Sequence, residues 1–140
     1  MRPDPTEQLN GIRRVLAETV APLVHDPYVA DVLTGLLATL GLLAEGWAQV
    51  PAFLRWDSEA TGAVLSGAGY EVPPGPDDPL DLAAWQAHHR DVRRRLEAAV
   101  PTLVDDDLAT ARMIQLFRDR ADRFPFAARR QGGPPADAPR

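Results

Sequence analysis

The residues best equipped for chemistry stand together in one run, His88-His89-Arg90-Asp91. Imidazoles beside a carboxylate can bind a metal ion or move a proton near neutral pH. Helical spacing puts Trp85 and His88 on one face, and His88 and Asp91 on one face. A metal centre would need further ligands, such as His25 or the carboxylates of Glu18 and Glu45. No His-x-x-x-His or Glu-x-x-His spacing pairs any of these residues. His89 therefore reads as part of an apolar helix seam and His88 as its solvated neighbour, and no catalytic, metal or cofactor-binding residue is assigned.

Residue types exclude several other chemistries. There is no cysteine, so thiol catalysis, thiolate metal sites and disulfides are ruled out. Every basic residue is arginine, which removes Schiff-base chemistry and the P-loop lysine. With the abundance of Ala, Gly, Pro and Asp, this usage fits GC-rich codon bias. Ser58 and Ser66 are the only serines, and neither lies in a Gly-x-Ser-x-Gly elbow. Gly67-Ala68-Gly69 supplies only two glycines of a dinucleotide-binding fingerprint and follows no strand pattern. The net charge of −5 argues against duplex nucleic acid as a partner. Arg90, Arg94 and neighbouring arginines form a candidate phosphate-binding patch. The plainer reading is a wet helix face with Asp91–Arg95 and Arg93–Glu97 pairs, matched further on by Asp119–Arg123 and Arg118–Asp122.

The elements that must position these residues all read as helices. Asp4-Pro5-Thr6-Glu7 carries a capping residue, a first-turn proline and a capping-box carboxylate. Leu9, Ile12, Leu16 and Leu23 follow at helical steps, and Pro22 should kink or end that helix. Asp26-Pro27 repeats the start signal. Val29, Leu33, Leu36, Leu40, Leu43, Trp47 and Val50 then alternate steps of four and three, the pattern of a bundle seam. Leu36 and Leu40 are expected to be buried in it. Val32, Leu37 and Leu42 widen the apolar surface beyond the seam and are the candidate interface.

A short connector helix is expected from Asp57 to about Ser66, and the Pro73-Pro74-Gly75-Pro76 stretch reads as a loop. Asp78-Pro79 should start a helix with the seam Leu82, Trp85, His89, Val92, Leu96 and Ala99, ending at Pro101. The last helix begins at Asp105-Asp106-Asp107, with Ile114, Phe117, Ala121 and Phe124 as its stripe. The expectation is an all-α antiparallel bundle of four main helices with a short connector, one domain over residues 1–126 and a disordered tail over 127–140.

The aromatic residues define a second candidate site. Trp47, Trp85, His88 and His89 could line an apolar pocket between helices, while Phe53, Leu54 and Trp56 sit near a junction suited to a docking patch or pocket rim. The longest uncharged stretch, Val32 to Ala44, falls short of the ~20 residues of a membrane span. The amino terminus lacks the apolar run of a signal peptide. A cytoplasmic protein without a membrane or nucleic-acid partner is expected.

Gln8-Leu9-Asn10-Gly11-Ile12, Val20-Ala21-Pro22-Leu23, the leucine-rich helix through Leu43 and the Arg123-Phe124-Pro125-Phe126 ending resemble a family of short uncharacterised bacterial helical proteins. Members are often encoded beside kinase-fold phosphotransferases and acyl-CoA dehydrogenases. The resemblance implies an accessory role beside an enzyme and carries over no active-site residue. A non-catalytic interaction protein, either a homodimer or an enzyme's accessory subunit, is the leading expectation. A small-molecule-binding bundle is the alternative.

Overall fold

The structure, a computed structural model, describes residues 4–127 and is all-α, with no strand among them. Five α-helices are described: α1 Pro5–Val15, α2 Pro27–Gly46, α3 Val50–Gly67, α4 Leu82–Leu103 and α5 Asp107–Arg123. The chain divides into two compact units, Met1–Ala44 with Phe126–Arg140, and Glu45–Pro125. The tail expected over 127–140 lies outside the described residues apart from Ala127.

In the first unit, Asp4 caps α1 by accepting from the Thr6 amide at 3.4 Å, with Pro5 in the first turn. Pro22 ends this segment as its chemistry requires. The chain widens into a π turn at Leu16–Val20, tightens to 3-10 geometry at Ala21–Leu23 and becomes extended at Val24. Asp26 then accepts from the Val29 amide at 3.1 Å and starts α2. The Arg13 guanidinium lies 3.4 Å from where a Cβ on Gly41 would stand, so α1 folds back along α2.

The expected α2 seam is split. Leu33 and Ala44 are buried and Leu40 half-buried, but Leu36 is 52% exposed, which corrects its assignment to a buried seam. Leucine spacing fixes the phase of a helix only to within a wide apolar arc, and Leu36 falls on the arc's outer edge.

In the second unit, α3 stands between α4 and α5. The segment expected to be a short connector is an 18-residue helix, with Pro51 in its first turn where a missing N–H costs nothing. At its end, Gly69 adopts φ +87° and the Tyr70 amide bonds back to the Leu65 carbonyl at 3.0 Å, a glycine-dependent helix stop. The following loop returns to the helices. Val72 packs against the core, and Trp85 Nε1 donates to the Asp78 carbonyl at 3.1 Å.

The α4 start lies three residues later than Asp78-Pro79 suggests. Asp81 is the cap, accepting from the Ala84 amide at 2.9 Å, while Asp78 holds a turn by accepting from the Leu80 amide. Nor does Pro101 end α4, which runs on to Leu103. Asp106 caps α5 through the Leu108 and Ala109 amides, and Thr110 Oγ1 donates to the Leu103 carbonyl, tying the start of α5 to the end of α4.

The core joins Val64 and Leu65 of α3 to Val92, Leu96, Ala99 and Leu103 of α4 and to Ala109, Met113 and Leu116 of α5. The α4 seam matches the spacing. The α5 stripe does not: Ile114, Phe117 and Phe124 are each more than 40% exposed, and the inward residues are Ala109, Met113, Leu116 and the largely covered Arg120. An arginine on the inward stripe displaced the expected phase by one residue.

Candidate functional site

The chemistry of the second unit converges on Asp57, whose side chain is fully buried in α3. Two cations or donors reach it from the flanking helices. His89 Nε2 of α4 meets Oδ2 at 2.6 Å, and Arg120 Nε of α5 donates to Oδ1 at 2.6 Å. Arg120 Nη2 also donates to Thr61 Oγ1 at 3.0 Å, while Thr61 Oγ1 donates to the Asp57 carbonyl at 2.6 Å. Ser58 Oγ, one residue on, donates to the Leu54 carbonyl at 2.7 Å.

Burial by itself pushes the Asp57 carboxyl up. The hydrogen bonds from His89 and Arg120, with the Arg120 and His89 charges, outweigh it and hold the group below its usual value. The carboxylate is thus kept ionised, with both oxygens occupied. Among the described residues no buried side-chain polar atom lacks a partner. Each carboxylate oxygen has a partner, and the two hydroxyls beside it are spent on helix carbonyls. The cluster bonds α3 to both of its neighbouring helices.

Aromatic side chains cover this cluster. Phe53 lies 6.0 Å from Trp56, 6.5 Å from His89 and, edge-on, 5.8 Å from Phe124, centroid to centroid. The Arg123 guanidinium sits 4.6 Å over the Trp56 ring.

The four candidate pocket residues go to different places. Trp85 is buried beneath the loop, with Arg55 over its ring and His88 edge-on at 5.8 Å. His88 turns to Trp85 and His89 to Asp57, so the two imidazoles of the pair serve different neighbours. Trp47 is half-buried in the 3-10 turn Trp47–Gln49 before α3. A groove of about 390 Å³ opens instead between α3 and α5, walled by Trp56, floored by Ala60, Val64 and Leu116 and edged by Arg112 and Asp119. Phe53, Leu54 and Trp56 separate as well: Leu54 is buried, and the two aromatics are half-buried. Sequence reading missed Asp57 as the partner of His89, and Arg120 as the second partner of Asp57.

Among the described residues, no group of three His, Asp or Glu side chains gathers as a metal site would require. Of the four expected helix ion pairs only Asp91–Arg95 forms among those residues, at 3.0 Å. Asp119 takes the Gln115 amide at 2.8 Å instead, and Arg123 takes the indole. Arg90, Arg93 and Arg94 line a shallow crevice of about 260 Å³ along α4 with His89 and Glu97.

The candidate interface takes a different form. On α2, Tyr28, Val29, Val32 and Leu36 are each at least 45% exposed, over more than two turns, while Leu37 and Leu42 are half-buried. Ile12 and Val15 of α1 and Leu23 after it are also exposed. Thr34 and Thr39 donate to the carbonyls of Ala30 and Gly35, so their hydroxyls add no unmet polarity to this helix. The helical run Pro27–Gly67 is long and apolar enough to cross a membrane by length and composition alone, with a window of mean hydropathy 1.6 that is 17% buried.

No protein-family model, no curated protein and no solved structure matches this chain.

Proposed function

We propose that this protein is a non-catalytic interaction protein that associates with a second copy of itself through α1 and α2. The observation that carries the reading is the exposed stripe Tyr28, Val29, Val32 and Leu36 on α2. Isolated exposed leucines are ordinary, but four large side chains grouped within Tyr28–Leu36 form a patch that water disfavours.

A second copy is the occupant that suits this face. Asp31 is the one charge within Tyr28–Leu36 and Val32 to Ala44 carries none, so the face is mainly apolar, and an identical apolar face meets its own kind about a two-fold axis. A 20-residue helix is about 30 Å long and about 10 Å across. Ile12 and Val15 of α1 are exposed as well and extend the apolar surface of this unit, and a standard stable interface buries ~800 Å² per partner. An accessory role beside an enzyme would use the same face.

Light scattering on the purified full chain tests this. The 15.3 kDa chain is expected to run as a dimer, and Val32→Glu with Leu36→Glu to run as a monomer of unchanged helicity. These two positions are better choices than Leu37 and Leu42, whose partial burial would confound association with folding. A wild-type chain that stays monomeric at every concentration overturns the reading. So does a monomer that pellets with phosphatidylcholine vesicles while the double variant does not, since lipid would then be what covers the face.

A further inference from the structure

We infer that the groove between α3 and α5 is a binding site for a small amphiphilic carboxylic acid, using none of the residues of the exposed α2 stripe. Its volume, about 390 Å³, lies in the ~300–1,000 Å³ range of small-molecule sites. The floor is apolar because α3 presents Ala60, Ala63 and Val64 to Leu116 of α5, and the two alanines leave room that larger side chains would fill. Trp56 closes one end. Its indole is stacked under the Arg123 guanidinium and packed against Phe53, so the wall is set before a ligand arrives.

Charge at the rim selects the ligand class. Arg112 has no ion pair or hydrogen bond among the described residues, and its Nη1 lies within 2.6 Å of where a Cβ on Gly67 would stand. Gly67 therefore leaves the space in which this guanidinium rests, at the end of the groove formed by the last turn of α3. A guanidinium holds a carboxylate in two-point geometry, as it also holds a phosphate, and the short apolar groove beside Arg112 suits the body of a carboxylic acid. The opposite end differs. Asp119 lies seven residues further along α5, about 10 Å away along the helix. One of its oxygens already accepts from Gln115, and the group can take one more donor but repels an anion. The complementary molecule has a carboxylate at one end, an aromatic or short aliphatic body, and a hydroxyl or no polar group at the other. A hydroxyaryl alkanoate has this pattern.

Nuclear magnetic resonance titration of the full chain with 4-hydroxyphenylacetate and with octanoate tests the assignment. The expected result is saturable shifts of the Ala60, Ala63 and Gln115 amides. Arg112→Gln should weaken both acids by about tenfold or more, as loss of a charge-assisted pair does, and leave the weak binding of 4-hydroxyphenylethanol unchanged. Ala63→Trp, at an exposed position, should fill the groove and abolish the shifts, with circular dichroism confirming that both variants fold. No saturable shift with either acid, shifts confined to other residues, or equal affinity in Arg112→Gln would overturn the proposal.

Discussion

Asp57 and Arg120 meet at 2.6 Å across 63 residues of chain, both from positions on the inward faces of their helices. The contact inverts the ordinary reading of a helical stripe, in which the inward positions are apolar. Together with His89 it makes α3 the element to which both of its neighbours are bonded.

Removing the carboxylate should therefore be costly. Asp57→Ala leaves Arg120 and His89, each with a largely covered side chain, facing a cavity without their counter-charge. The expected loss is about 3–5 kcal/mol, typical of breaking a buried pair from one side. Urea unfolding measures it, and a loss below about 1 kcal/mol, the scale of an exposed pair, would show that the cluster is not buried in solution.

The same group sets an acid limit. Its carboxyl is held below the usual aspartate value by the His89 and Arg120 bonds, so the unfolded chain binds its proton more readily than the folded one. The stabilisation is complete above about pH 4 and is lost as pH falls through the lower folded value. Urea midpoints taken from neutral pH down to about pH 3 should fall more steeply for the wild type than for Asp57→Asn. Parallel curves would contradict the assignment.

Two leucines of similar sequence context should respond in opposite ways. Leu65 is fully buried, and Leu65→Ala should cost about 2–5 kcal/mol. Leu36 is half-exposed, and Leu36→Ala should cost the isolated chain under about 0.5 kcal/mol. Its effect is expected in light scattering, as weaker association, when protein concentration is raised.

Gly75 offers a test of the loop. A Cβ there would stand 2.9 Å from Cη2 of the buried Trp85 ring, which is held by its bond to Asp78 and cannot give way freely. Gly75→Ala should cost about 1–3 kcal/mol, the range for overpacking, and shift tryptophan emission to the red. Unchanged emission and melting temperature would mean the loop does not rest on the indole.

How far the sequence reveals this arrangement differs from helix to helix. In α4 the buried positions are apolar except for His89, so spacing alone gives the correct seam. In α3 the inward positions include Asp57, Ser58 and Thr61, which carry no hydrophobic signal; only pairing makes their burial affordable, and the partners lie 32 and 63 residues away. In α5 two stripes compete, and Ile114 and Phe117 outweigh Ala109 and Met113 by hydrophobicity while losing to them in packing. Periodicity reports the phase of an apolar arc. It does not report which edge of the arc meets a neighbour, and Leu36, in phase with the seam, lies on the edge that meets none in its unit.

Leucine stripes leave helices free to slide, since a shift of one turn sets one leucine where another stood. The bonds to Asp57 remove that freedom. Moving α4 or α5 along α3 by one turn displaces a side chain by about 5.4 Å, which carries His89 or Arg120 out of hydrogen-bond reach and leaves a buried carboxylate exposed to its full desolvation cost. One aspartate thus sets the axial register of both neighbours at once, and the ends of α4 and α5, joined through Thr110 and Leu103, follow from it.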